Sequence, residues 1–345
     1  MVHPVLCPGM LTAAKWTAAA LIAISASIAS QDPGTKPTPS PAAPPMHLAF
    51  SSVKPEATIA VDGERQIAVT PDSVWVSRRA AGTVVRIDPK THTLGTPILV
   101  GQDPCFRALW AFGSLWTSLC GAPGLARIEV PADSKAPAAV KPPVVITLGV
   151  RAGGPIVTGA SSIWMIADAA GALARVDPDT NKIIAETTVP PGPWAMAFGD
   201  GAVWITSASR DTVTRVNGST NVVVEHVKVG RGPSAVAVGE GAVWTLNTGD
   251  GTVSKVDLKT NKVTDTIKAG VTGRHGSIAI GEGSVWLSAE GAPLTRIDPV
   301  TNRMIQQFSG PGGGALAVGH QSLWIVATPT EIWRLDPRRV EATRK

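Results

Sequence analysis

GPSAVAVGEGAVWTLNTGDGTVSKVDLKTNKVTDTIKAG, Gly232 to Gly270, reads as four short strands. Pro233 to Val238 alternates small and apolar residues, and Gly239-Glu240-Gly241 turns the chain. Ala242 to Leu246 carries Trp244, and Asn247 to Gly251 is a second turn rich in Gly, Asn and Asp. Thr252 to Val256 alternates again, Asp257 to Asn261 turns, and Lys262 to Ile267 closes the unit. Short alternating runs between turn residues are strands, and no helical period appears. One such sheet cannot bury both of its faces, so the unit needs neighbours.

The neighbours are in the sequence. An aliphatic-Trp pair recurs with its tryptophan at Trp75, Trp116, Trp164, Trp204, Trp244, Trp286 and Trp324, at steps of 41, 48, 40, 40, 42 and 38 residues. A period near 40 with four strands per unit defines a β-propeller blade, and seven occurrences predict seven blades. A second repeat follows the tryptophans: Arg86-Ile-Asp-Pro, Arg175-Val-Asp-Pro, Lys255-Val-Asp-Leu, Arg296-Ile-Asp-Pro and Arg334-Leu-Asp-Pro. The fold class is therefore all-β, a seven-bladed propeller of four-stranded antiparallel blades over residues 55–337. Blade seven has three strands at its C-terminal end. Pro55 to Val61 is expected to supply the fourth, beside Glu331–Leu335, so that no sheet edge is left open.

Outside the propeller, Trp16 to Ile28 is an apolar run of signal-peptide length behind Lys15, so residues 1–30 read as a signal peptide, with an uncleaved anchor as the alternative. Residues 31–54 read as a Pro-rich linker and 338–345 as a charged tail. A periplasmic or secreted monomer is expected, without stable membrane insertion once the leader is removed. Without Lys15 the balance is 30 basic against 26 acidic residues, or +4, too mild to indicate nucleic acid. Cys105 and Cys120 flank the first hairpin of blade two. Pairing positions whose numbers sum to 225 sets them opposite each other, so a cross-strand disulfide is expected, with two separate buried thiols as the alternative.

Repetition marks the tryptophans and the Asp-Pro turns as architecture. Asp followed by Pro suits a type I turn, in which the carboxylate accepts a backbone N–H. Differences between blades carry more information about function. The loops entering the blades hold Arg65, Arg107, Arg151, Arg231 and Arg274-His275, and the next loops add Arg78, Arg79 and Arg210 against Asp211, Asp250 and Glu290. Arginine forks match carboxylate and phosphate. A cationic rim binding an anionic small molecule or partner is one reading, and solvated loop charge is the other. Few aromatics interleave (Trp194 and Phe106), which disfavours nucleic acid. The six histidines show no metal-ligand spacing. His275 and Glu290 alone make a plausible acid/base pair, at one end of a blade-six hairpin.

The repeat Gly-Pro-Ser-Ala-Val-Ala-Val-Gly-x-Gly-Ala-Val-Trp, followed by Val-Asp-x-x-Thr-Asn-Lys-Val, resembles the seven-bladed YVTN-type and virginiamycin B lyase-like (streptogramin lyase) propellers. The resemblance covers about residues 55–337. It implies a carbon–oxygen lyase that opens a cyclic depsipeptide or lactone by elimination, with His275 and Glu290 as the catalytic residues and Mg2+ as cofactor. The family's Glu-x-His-Gly motif is matched at His275-Gly276, whereas Gly273 stands at its first acid. The functional expectations are thus a non-catalytic binding or scaffold propeller, a streptogramin-type lyase, or another propeller enzyme such as a lactonase.

Overall fold

The structure is a computed structural model, and it describes residues 46–63, 65–105, 108–121, 124–129, 142–148 and 154–341. The leader, most of the Pro-rich stretch, residues 130–141 and the last four residues lie outside them. Seven sheets, each built on four antiparallel strands, make up the described chain. Blade five shows the plan, with strands Pro233–Gly239, Ala242–Asn247, Thr252–Asp257 and Val263–Lys268 paired in sequence order. Its second strand is wholly buried and its outermost alternates, because the inner strands are covered by both neighbouring blades.

The expected ring closure is present. Ala57–Ala60 pairs antiparallel with Glu331–Leu335, completing blade seven from the N-terminal side. Ile59 and Val61 bury beside Trp324 and Ile332, in a cluster that also holds Ile67 and Val76 of blade one. Apolar burial thus runs across the seam as it does between other blades.

Two elements fall in stretches read as a linker and a tail. Met46–Ala49 adds a fifth strand to blade six, parallel to its outer strand Arg303–Ser309. A short 3-10 turn, Phe50–Ser52, then buries Phe50 against Trp333, with ring centroids 5.0 Å apart. At the other end Pro337–Glu341 is one turn of helix whose Val340 carbonyl accepts a hydrogen bond from Gln306 Nε2 at 2.7 Å. Among the described residues no helix is long and apolar enough to cross a membrane.

The repeated residues form one inter-blade joint. Each blade tryptophan is buried, and its cross-strand partner is the basic residue of the second repeat, as in Trp244 opposite Lys255. In blades two to seven that cation lies over the indole, at 4.9 Å for Arg127 on Trp116 and 5.3 Å for Arg215 on Trp204, and in blades two to five it reaches the turn of the following blade. Arg215 Nη1 donates to Leu258 O and Asn261 Oδ1, and Lys255 Nζ to Pro299 O and Asn302 Oδ1. At the seam, Arg334 of blade seven meets His92 of blade one, which occupies the turn position held by Asn elsewhere. The turn aspartates Asp88, Asp177, Asp257 and Asp298 accept two backbone N–H bonds each, as Asp257 does from Lys259 and Thr260, and Asp336 accepts one from Arg338.

Candidate functional site

The innermost strands of the blades surround a cavity of about 1050 Å3 on the side of the blade-entry loops. Lining residues come from every blade, from Gln66 in blade one to Leu316 in blade seven. Arg79, His275 and Glu290 are the described lining residues with ionisable side chains.

His275 and Glu290 reach the same wall for a reason of register. The first hairpin of blade six pairs Gly276 with Ala289, and one further step outward brings His275 to Glu290. Both are exposed, and neither has a hydrogen-bond or ion-pair partner among the described residues. Gly276 is constrained by packing. A Cβ there would come within 2.5 Å of Leu246 Cδ2, so a larger residue would require the Leu246 side chain to shift.

The arginine rim is only partly assembled at this cavity. Arg107 and Arg151 lie outside the described residues, and Arg65 begins the inner strand of blade one, Arg65–Val69. Arg231 and Arg274 are exposed but do not line the cavity, whereas Arg79 does. Several of these charges are compensated by neighbours that the linear sequence does not pair. Arg78 bonds Asp62, and Arg79 forms a two-pronged pair with Asp103, its Nη2 3.1 Å from Oδ2. Arg231 lies beside Asp211 and Asp250. The Gly232 N–H chiefly holds the Asp211 carboxyl below the usual range, with Lys228 and Arg231 adding to it. Burial opposes ionisation of Asp250, yet the Thr252 hydroxyl and the Arg231 N–H outweigh it. Arg274 is different, since it has no such partner among the described residues.

At the cavity one feature had little sequence signal, and a second is the disulfide expected from the sequence. Trp194, from the inner strand Pro193–Gly199 of blade four, stacks on His275 with ring centroids 5.0 Å apart and planes 10° from parallel. Cys105 and Cys120 are joined as a disulfide with their Cα atoms 5.8 Å apart, and both line the cavity at blade two. The adjoining hairpin has the register that sums to 225, as in Leu109 opposite Trp116.

Mg2+ needs a set of oxygen donors in near-octahedral order. Among the described residues no group of three or more His, Cys, Asp or Glu is gathered that could hold a metal ion. Gly273 contributes no side-chain donor, and Arg274 follows it directly. The donors present therefore do not fit Mg2+, and the chemistry available at this wall is that of His275, Glu290 and their cationic neighbour.

No protein-family model and no curated protein matches the chain. Among solved structures it is similar to virginiamycin B lyase from Staphylococcus aureus, with a TM-score of 0.67 and 18% identity over 81% of this chain and 98% of that one. It is also similar to the computationally designed Ika8 protein, with a TM-score of 0.57 and 12% identity over 80% of this chain and 98% of that one. Likeness at this level of identity is likeness of fold. The chain is a seven-bladed β-propeller resembling virginiamycin B lyase.

Proposed function

We propose that the protein is an exported binding propeller that takes an anionic small molecule at the mouth of the central cavity. The observation that supports this is Arg274, exposed and without an ion-pair partner among the described residues, next in the chain to His275, which lines the cavity wall. A guanidinium without a carboxylate neighbour keeps its full fork of donors for a ligand carboxylate or phosphate. Arg231 is a poor ligand arm by the same reasoning, because Asp211 and Asp250 already balance it. Calorimetric titration of the full chain with a small carboxylate and its uncharged amide tests the proposal. The acid should bind and the amide should not, Arg274→Ala should weaken the acid about tenfold or more, and Arg231→Ala should change it little. Equal binding of acid and amide, or no effect of Arg274→Ala, would refute it.

The free His275–Glu290 pair favours a second reading, a carbon–oxygen lyase acting on a cyclic depsipeptide or lactone. His275 would take a proton from the carbon next to the one bearing the ester oxygen, the C–H electron pair would form a C=C bond as the C–O pair leaves on the carboxylate, and Glu290 would orient the ring. Elimination leaves the mass unchanged, so turnover would be read as a chromatographic shift that disappears in His275→Ala.

A further inference from the structure

The position ten residues before each blade tryptophan is occupied, in blade order, by Arg65, Phe106, Gly154, Trp194, Ser234, Gly276 and Gly314. Blade four therefore places an indole where blades three, five, six and seven carry Gly or Ser. A bulge presents it, because the pairing of the inner hairpin shifts between Pro193 and Met196. Bulges re-aim side chains. The Ala195 N–H is taken by Thr206 Oγ1 at 3.0 Å, which satisfies the backbone at the irregularity.

The re-aimed indole spans blade five and stacks on His275 of blade six, so one platform is built by two blades that do not adjoin. Trp194 is 43% exposed, whereas each of the seven blade tryptophans is at most 3% exposed. Its Nε1–H has no hydrogen-bond partner among the described residues. Packing does not account for a large ring held at a cavity mouth with one face stacked and its polar edge unused. A flat ligand does, since near-parallel rings at this spacing leave outer faces for a third ring. Arg274, exposed, directly precedes His275 in the chain.

We propose, building on the anionic-ligand reading above, that the ligand is an aromatic acid. Its planar ring stacks on the Trp194–His275 pair and its acidic group meets Arg274. Titrating the full chain with 2-naphthoate and with its saturated decahydro counterpart tests this. The aromatic acid should bind about tenfold tighter. Trp194→Ala should abolish that preference, and Trp194→Phe should keep most of it. Equal affinity for the two acids, or a preference that survives Trp194→Ala, would overturn the platform while leaving the anionic-ligand reading intact. Binding of neither acid would overturn both.

Discussion

At the scale of the residue, one carboxylate position links sequence, turn geometry and pH. Asp88, Asp177, Asp257 and Asp336 are all held below the ordinary carboxylate range, first by a backbone N–H two or three positions on. A lowered folded-state pKa contributes stability that is present above the unfolded value, about 4, and lost as pH falls through the folded value. Blade four supplies a natural control, since Asn217 accepts the same two bonds from Ser219 and Thr220 without a charge. Replacing the four aspartates by Asn should flatten the decline of melting temperature below pH 4 and lower the melting temperature at pH 7, where the ionised carboxylates contribute. A decline as steep as in the parent would show that other groups set the acid limit.

At the scale of the element, the two N-terminal strands should differ in what they hold together. Ala57–Ala60 fills a place in a four-stranded blade, and Ile59 is part of the core at the seam. Met46–Ala49 is a fifth strand outside the closed ring, anchored by Phe50. Deleting residues 55–61 should therefore lower the melting temperature of the entire molecule, whereas Phe50→Ala should cost about 3 kcal/mol of stability in denaturant titrations. A deletion variant that melts with the parent would refute the closure role. The seam strand was legible because Pro55 to Val61 stands where every other blade has its outer strand. Met46–Ala49 was not legible, since four residues behind a Pro-rich run carry no repeat, and their partner is set only by the finished sheet. Arg127 and Arg215 were missed as members of the joint for a related reason. Glu129 and Asn217 replace the aspartate of the motif there, while the cross-strand pairing with tryptophan is kept.

At the scale of the whole molecule, the period of the tryptophans determined the number of blades, because each blade buries its faces only against neighbours. The functional rim was less legible. Entry loops can be assigned from sequence, but the pairing of Arg79 with Asp103 and the crowding of Arg231 by two aspartates arise from neighbouring blades. The His275–Glu290 pair could be read, being fixed by one hairpin register, while the stack with Trp194 spans two blades and leaves no mark on any single repeat.

The seam in blade seven also governs the order of assembly. During synthesis the strand at Ala57–Ala60 leaves the ribosome before any blade, yet its partner at Glu331–Leu335 is among the last segments made. The first ring strand to emerge is thus paired last, and the chain must carry an open arc of six sheets until its end arrives. A loop closed over so long a separation is entropically costly and slow. Moving residues 55–61 to follow Leu335 by circular permutation would make blade seven a local meander. Refolding of that permutant should outpace the parent while its equilibrium stability stays close, which separates the cost of closing the circle from the cohesion of its parts.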